Sequence, residues 1–393
     1  MSNRIHGMDA LRGIAMLLGI VLHAAIPYRI HTNVNWPTDP DFQSVTFDLL
    51  YLWIHSFRMQ LFFLVAGFFA RLLYLKIGFR NFIQHRLKRI LLPFIVSIII
   101  IVPLSIAPLL YYKYAFFQGL SVDEALNNTL KGILHWNGLV HLWFLYYLMM
   151  FYISMLAILV LTPIKIKSLI QSKLNIFANF TRPIIFIFFA IFLFSVLYYQ
   201  NKIIIEPYTG LKPNVGQFVY YGIFFFIGYL LHANVSCIES IKRVSLRYFS
   251  LGSLLAIPFT YCYFLLADNP ESSPLLYNLA RILGVCLTLL LVGGALGGFI
   301  QFFSKENRIL RYISDSAYWL YLVHFPIVVF TEILLLYSNV YGWARFWIVL
   351  SIASIVTLIT YQHFARYTII GNILHGKRLR GETAKTRVKS VLN

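Results

Sequence analysis

Residues 9–28 read DALRGIAMLLGIVLHAAIPY, and their length and apolar character predict a helix that crosses a membrane. About 20 mostly apolar residues are enough to cross the hydrocarbon core. Yet Arg12 lies near the start of this stretch and His23 lies deep inside it. Charged and ionisable side chains are costly in lipid, so they usually face the interior of a helix bundle. The stretch therefore predicts a membrane protein with polar groups among its helices.

The composition of the whole chain supports this class of protein. Hydrophobic residues make up 59% of the 393 residues and charged residues only 12%, and the mean hydropathy is +0.73. A soluble domain is about 45–50% apolar and about 25% charged. The net charge of +19 falls mainly in loops between apolar stretches, where it is typical of topology signals. We therefore expect contact with the lipid bilayer and no nucleic-acid partner.

The hydropathy pattern predicts an all-α polytopic membrane protein, with about ten transmembrane helices in one bundle. We expect residues 1–364 to form one transmembrane domain and residues 365–393 a basic cytoplasmic tail. The first apolar stretch lacks a clear small-residue cleavage site, so we expect a retained helix. The predicted spans are residues 8–28, 49–73, 90–111, 140–162, 182–200, 216–233, 247–267, 278–300, 317–336 and 343–364.

The distribution of basic residues predicts the orientation of the bundle. If the amino terminus is cytoplasmic, the inner segments hold 23 Lys and Arg residues and the outer segments hold five. Short loops rich in Lys and Arg stay in the cytoplasm. We therefore predict a multi-pass membrane protein with both termini in the cytoplasm.

Arg12 and His23 share one face of the first predicted helix. They are eleven residues apart, which is about 20° past three full turns and roughly 16 Å along the axis. This places Arg12 near the inner surface, beside Asp9, and His23 in the outer half of the bilayer. Arg12 is alternatively a snorkelling anchor, and His23 a packing residue bonded to a neighbouring helix.

The second predicted span carries His55 and Arg58, which point in roughly the same direction. His55 is similar in depth to His23, and Arg58 is nearly mid-membrane. Snorkelling explains such a deep arginine poorly, so we regard both residues as catalytic candidates with His23 and Arg12. The alternative for Arg58 is a structural ion pair without a role in chemistry.

Arg86 and Arg89 lie three residues apart at the inner end of the third predicted span. The planar guanidinium is suited to holding phosphate, so the pair is a candidate donor-binding site. The alternative is a charge cluster that only sets topology.

Three further residues are possible additional members of the site: His141, His324 and Asp9. Alternatively, His141 belongs to an interfacial aromatic belt and His324 is a packing residue. The three cysteines lie far apart without a CxxC pair, so no metal site is predicted. No paired carboxylates and no GxSxG elbow appear, which disfavours two-carboxylate and serine hydrolases. Neutral histidine as general base and arginines for a phosphorylated donor instead suit group transfer across the membrane.

The motifs resemble those of the membrane acyltransferase 3 family. The Arg-to-His spacing in DALRGIAMLLGIVLH and the RLKR pair both match this family, whose members have about ten transmembrane helices and acylate sugars. Within it the chain is most similar to the periplasmic-glucan succinyltransferase (OpgC-like) subgroup. The stretches that resemble this subgroup are IHSFRMQLFFLVAGFF, HLWFLYYL and YLVHFP.

The resemblance implies a role for each matched residue. His23 matches the family's essential histidine, proposed to take the acceptor's proton, and Arg12 matches its paired arginine. Arg86 and Arg89 match the pair thought to engage acyl-CoA. The implied activity is transfer of a succinyl or acetyl group from cytoplasmic acyl-CoA to a hydroxyl of a periplasmic or cell-surface glycan. The resemblance also implies a place in the bacterial inner membrane and no permanently bound cofactor. The alternative is a transporter or exporter of an anionic or glycan substrate, in which the same polar groups form a path.

Overall fold

The computed structural model describes residues 6–32, 36–39, 41–163, 173–336 and 338–376. Within these ranges the chain is helical, and its β-structure is limited to an isolated bridge between Gly138 and Gly210. The prediction of an all-α polytopic membrane protein is confirmed. Residues 377–393, most of the predicted basic tail, lie outside the described ranges.

Thirteen α-helices are formed by the described residues. They are α1 (His6–Ala25), α2 (Val45–His55), α3 (Arg58–Arg86), α4 (Leu92–Tyr112), α5 (Val122–Leu134), α6 (Trp143–Leu161), α7 (Pro183–Tyr199), α8 (Val215–Ala233), α9 (Ser236–Asp268), α10 (Pro274–Phe302), α11 (Arg308–Leu336), α12 (Gly342–Thr360) and α13 (Ile369–His375).

Helices occupy all ten predicted spans. Eight helical segments of the described chain are long and apolar enough to cross a membrane. Helix α7 is also apolar but shorter, with 17 residues. The segment Val45–Phe117 holds 73 residues, which as one straight helix would be about 110 Å long. That is more than three times the roughly 30 Å of a hydrocarbon core. It therefore contains two of the predicted spans.

The second predicted span, residues 49–73, differs from the structure in two ways. It is interrupted, because α2 ends at His55 and α3 begins at Arg58. At the break, the Ser56 hydroxyl donates a hydrogen bond to the Leu52 carbonyl at 2.6 Å, which competes with continued helical pairing. The helix also extends beyond the predicted end to Arg86, with a left-handed residue at Gly78 (φ 76°). Only glycine adopts this conformation without steric cost.

The helix pair at the centre of the bundle is held by close backbone contact. A β-carbon at Gly67 of α3 would overlap the Phe225 carbonyl oxygen, and one at Gly228 of α8 would overlap the Leu64 carbonyl oxygen. The ring contacts of Phe63 with Tyr221 and of Phe68 with His232 show that α3 and α8 run parallel. Small residues allow such approach in membranes, where packing must replace the hydrophobic effect between helices.

Helices α1 and α11 run parallel and position the candidate site. Gly13 lies against the Ser314 backbone, and ten residues later the His23 ring lies beside the His324 ring. We name the side of the bundle at which α1 begins the N-terminal face and the other side the opposite face. Helix α10 ends at the N-terminal face, since Gly7 touches the Ile300 backbone there.

We expect Gly228→Val to destabilise the protein by about 1–3 kcal/mol, because the added methyl groups force α3 and α8 apart. The measurement is thermal unfolding of the purified protein in detergent. Gly298→Val is the control, since a β-carbon there would approach only Phe302, at 4.0 Å. Equal unfolding temperatures for the two variants would contradict the close packing of α3 and α8.

Candidate active site

Three histidine rings from three helical segments meet inside the bundle. The centroids of His23 and His324 are 5.4 Å apart, and those of His324 and His141 are 5.5 Å apart. Phe325 contacts two of these rings, edge-on with His23 at 5.0 Å and stacked with His141 at 4.9 Å. His324 and His141 are 2% and 7% exposed, whereas His23 is half-buried. We call His23, His141 and His324 the histidine cluster.

The hydrogen bonds of the cluster determine where protons lie on two of its neutral rings. His324 Nδ1 lies 2.8 Å from the Leu320 carbonyl, so it must donate, and Nε2 is then a bare acceptor. His141 Nε2 donates to the Leu322 carbonyl at 3.2 Å, which leaves Nδ1 as the acceptor. Among the described residues neither acceptor nitrogen has a partner, and neither does His23 Nδ1. The cluster thus holds buried proton-accepting capacity that the fold itself does not use.

A loop after α1 covers the histidine cluster. Trp36 stacks against His23 with centroids 6.2 Å apart and meets Phe325 edge-on at 5.5 Å. The loop is anchored by Asp39, whose Oδ2 lies 3.1 Å from Arg345 Nη2 in a buried ion pair. The Asp39 side chain is 0% exposed and that of Arg345 4%. This ion pair fixes the loop to α12 and so holds the indole beside His23.

Arg58 is the first residue of α3 and reaches α1 one turn from His23. A β-carbon at Gly19 would overlap Arg58 Nη1, so the glycine makes room for the guanidinium. Arg58 is 8% exposed. Because helical side chains lean toward the amino terminus, the His23 ring lies over the turn that Arg58 contacts. The structure therefore places Arg58 at the turn of α1 next to His23, and their shared catalytic role stays a prediction.

His55 lies outside the histidine cluster. Its Nε2 donates a hydrogen bond to the Ile205 carbonyl at 2.9 Å, and its ring stacks on Tyr51 at 5.4 Å. Tyr51 in turn lies under the Arg29 guanidinium, 3.8 Å from its ring centroid. These contacts tie α2 to the loop before α8, which gives His55 a structural environment. Its catalytic role remains a prediction.

Arg12 and Asp9 lie at the N-terminal face, away from the histidines. Arg12 Nη2 donates to the Ser314 hydroxyl at 3.0 Å and to its carbonyl at 3.2 Å. Asp9 is within ion-pair distance of the same nitrogen, at 3.6 Å. Arg12 therefore links α1 to α11 about three turns before His23. It is placed to set the register in which His23 meets His324.

Arg86 and Arg89 also lie at the N-terminal face, where α3 passes into a π-helical turn at Leu87–Leu91. Arg86 Nη1 donates a hydrogen bond to the Tyr152 hydroxyl oxygen at 3.4 Å, and its guanidinium lies over the Tyr152 ring. Arg89 Nη2 lies beside Gly376, at the end of α13. Both arginines are half-buried, and π-helical turns are frequent at functional sites.

Trp36 and Phe325 are contacts of His23 that the sequence analysis did not identify. A lone tryptophan in a loop carries no spacing signal, and Phe325 is one apolar residue among several in the YLVHFP stretch. Their position depends on long-range packing, here the ion pair of Asp39 with Arg345 and the parallel pairing of α1 with α11.

Two cavities lie away from the histidine cluster. The larger, about 470 Å³, is an apolar groove between α7 and α8. The smaller, about 20 Å³, is near Asp9 and Arg311 at the N-terminal face. Among the described residues, no three His, Cys, Asp or Glu side chains are arranged to hold a metal ion.

Comparison with known proteins identifies the family. The sequence profile of the acyltransferase 3 family, described as an acyltransferase domain, matches residues 5–362. The chain belongs to the acyltransferase 3 family. It is therefore an acyltransferase, as the sequence motifs predicted, and the histidine cluster is the candidate active site of a membrane acyltransferase.

The chain is also similar to individual family members. Glucans biosynthesis protein C of Escherichia coli strain K12 is 23% identical over 380 residues, which cover 96% of this chain and 95% of the relative. The protein of the same name from Shigella dysenteriae serotype 1 strain Sd197 matches at the same identity and coverage. No solved structure matches the chain. The predicted resemblance to this subgroup is confirmed.

We expect Asp39→Ala to lower the free energy of unfolding by about 3–5 kcal/mol, because it leaves the Arg345 guanidinium buried without its carboxylate. Acyl transfer should fall with it, since the loop that carries Trp36 loses its anchor. The measurements are thermal unfolding in detergent and activity at a temperature where the variant is folded. Asp41→Ala, which removes an exposed carboxylate of the same loop, should match the unmutated protein. Equal stability of the two variants would contradict the anchoring role.

Proposed function

We propose that this protein is a membrane-embedded O-acyltransferase that moves a succinyl or acetyl group from cytoplasmic acyl-CoA to a hydroxyl of a periplasmic or cell-surface glucan. The observation that carries the proposal is the histidine cluster, with its unpartnered ring nitrogens, inside a member of an acyltransferase family. The names of the similar proteins, which refer to glucan biosynthesis, support a glucan acceptor.

In the proposed reaction, His23 acts as general base. The acceptor hydroxyl oxygen attacks the thioester carbonyl carbon, and its proton passes to a ring nitrogen of His23. When the tetrahedral intermediate collapses, the carbon–sulfur bond breaks and His23 returns the proton to the departing CoA sulfur. The products are an acyl ester and a CoA thiol, so atoms and charge balance.

The rest of the cluster supports the proposed base. Protonation of His23 creates an imidazolium in a buried site, which is costly unless the charge finds an acceptor. The bare Nε2 of His324 is an acceptor within the ring contact already described, because its Nδ1 is committed to the Leu320 carbonyl. His324 can therefore stabilise the charged form of His23 by accepting its N–H.

The arginines at the N-terminal face are proposed to hold the donor. The phosphates of CoA are too strongly charged to enter lipid and must stay at a basic surface. Arg86 and Arg89 are both half-buried there, on the side where the inner segments of the predicted topology lie. With this orientation, which is that of a bacterial inner-membrane protein with cytoplasmic termini, the acyl group reaches His23 from the cytoplasm and the glucan approaches from the periplasm.

We expect His23→Ala to lower glucan acylation by about 100-fold or more, because the attacking hydroxyl loses its base. The measurement is mass spectrometry of periplasmic and surface glucans from cells with the unmutated protein, the variant, or neither. Acylation appears as glucan heavier by one succinyl or acetyl group. His363→Ala, which removes an exposed histidine, is the control and should leave the glucan masses unchanged.

Two outcomes would count against the proposal. Acylation at the unmutated level in a fully inserted His23→Ala variant would show that His23 is not the base. Glucans of unchanged mass but altered export in cells that lack the protein would favour a transporter.

We expect Arg86→Ala combined with Arg89→Ala to raise the KM for acyl-CoA by about 100-fold or more, since each of the two hydrogen bonds to a charged group contributes about 1.5–3 kcal/mol and about 1.4 kcal/mol is tenfold. The measurement is initial rate against acyl-CoA concentration in detergent or vesicles. Arg80→Ala combined with Lys88→Ala is the matched control. It removes the same charge from the same segment, but both side chains are exposed. An equal KM in the two double variants would assign the arginine pair to topology alone.

A further inference from the structure

Arg58 differs from the other buried arginines of the described chain. Arg29 pairs with Asp48 at 3.1 Å, and Arg345 pairs with Asp39. Arg281 is 4% exposed and donates to the Asn278 and Asn201 side chains. Arg58 is 8% exposed, yet no carboxylate of the described residues lies within ion-pair distance of it, and its Nε has no hydrogen-bond partner.

The backbone adds a second source of positive potential at the same place. Arg58 opens α3, so the first N–H groups of that helix lack partners within it. The residue before it, Phe57, provides no side-chain cap. The positive end of the helix dipole therefore coincides with a guanidinium, where an anion would be favoured instead. Helices interrupted within a membrane bind anions in this manner.

A further hydrogen-bond donor belongs to this environment. The Tyr221 hydroxyl of α8 is fully buried, has no partner among the described residues and is an electrostatic neighbour of Arg58. Buried polar groups in native proteins are almost always paired. The guanidinium and the uncapped backbone N–H groups, which have no partners among the described residues, form a site for a small anion with several acceptor oxygens, and the Tyr221 hydroxyl lies within electrostatic range of it.

The position of the site indicates which anion it takes. Arg58 contacts Gly19, about 6 Å along the α1 axis from His23, and the His23 ring leans toward that turn. In the proposed reaction the part of the donor that reaches His23 is the thioester with its acyl group, while the CoA phosphates remain at the N-terminal face. An anion at this position belongs to the acyl group, and the planar fork of arginine matches the two oxygens of a carboxylate better than the single oxygen of a tetrahedral oxyanion.

We propose that Arg58 binds the free carboxylate of a dicarboxylic acyl group such as succinyl, and thereby selects this donor over uncharged acyl groups. The proposal rests on the proposed function, since it assigns the acyl specificity of the same site. The carboxylate is unchanged in the reaction, while the ester forms and the thioester breaks at the other end of the chain.

The first test uses the unmutated protein with purified glucan and two donors, succinyl-CoA and butyryl-CoA. Their acyl chains have the same number of carbons, but butyryl ends in a methyl group. We expect kcat/KM to be about 100-fold or more higher for succinyl-CoA, because a site built for a polar group rejects an analogue that leaves that group unpaired. Equal values, or a preference for butyryl-CoA, would overturn the proposal and leave the proposed acyltransferase function standing. Absence of transfer from both donors would overturn both.

The second test compares Arg58→Gln with Arg71→Gln, which removes a half-buried arginine from the same helix. We expect Arg58→Gln to lower the ratio of kcat/KM for succinyl-CoA to that for butyryl-CoA by about tenfold or more, and Arg71→Gln to leave it unchanged. Arg58→Lys should lie between, because it keeps the charge and loses the fork. A ratio that is the same in Arg58→Gln and the unmutated protein would overturn the proposal. If Arg58→Gln fails to insert, the two-donor comparison and Arg58→Lys decide the question.

Discussion

Lipid offers no hydrogen bonds, so every polar group at membrane depth must find its partner within the protein. This constraint separates the polar residues of the bundle into two groups. Arg29, Arg345 and Arg281 each bond to a carboxylate, an amide or a carbonyl, and they fasten loops to helix ends. Among the described residues, His23 and Arg58 have no carboxylate or amide partner, and each retains a buried nitrogen without a hydrogen bond. A buried polar group that is hydrogen-bonded within the protein costs little, whereas a buried polar group without a partner is costly. The second group therefore marks where a substrate's own polar atoms complete the pairing.

The parallel packing of α1 against α11 brings His23 and His324 together in one site. Gly13 brings the two backbones together at the N-terminal face, and Arg12 bonds to Ser314 at the same level. From there both helices run to the opposite face in register, so His23 on one meets His324 on the other. The spacing of Arg12 and His23 therefore sets how far from the N-terminal face His23 lies. Arg12 fixes the register of α1 against α11 at one end, and His23 meets His324 about three turns later.

Hydropathy was sufficient to predict the helices, because a span must be long and apolar wherever it stands in the chain. The same pattern predicts residues 49–73 as one uninterrupted span, because the long apolar flanks outweigh the polar residues His55, Ser56 and Arg58 at the break. The matched motifs named His23, His141 and His324 separately. That they meet depends on which helices are neighbours, and hydropathy contains no information on this point. Trp36 could not be predicted at all, because its place beside His23 depends on the distant pair of Asp39 and Arg345.

The helix break that hydropathy missed is also the feature that gives the site its polarity. An unbroken helix through residues 55–58 would pair the backbone N–H groups of Arg58 and its neighbours with carbonyls one turn earlier. Ending α2 at His55 instead exposes these groups beside the guanidinium, at the depth of Gly19. The proton-accepting nitrogens of the histidine cluster and the donors around Arg58 then lie at adjacent turns along α1, at His23 and at Gly19. A base for the attacking hydroxyl and a positive site for the acyl group need this adjacency, which a continuous apolar span does not provide.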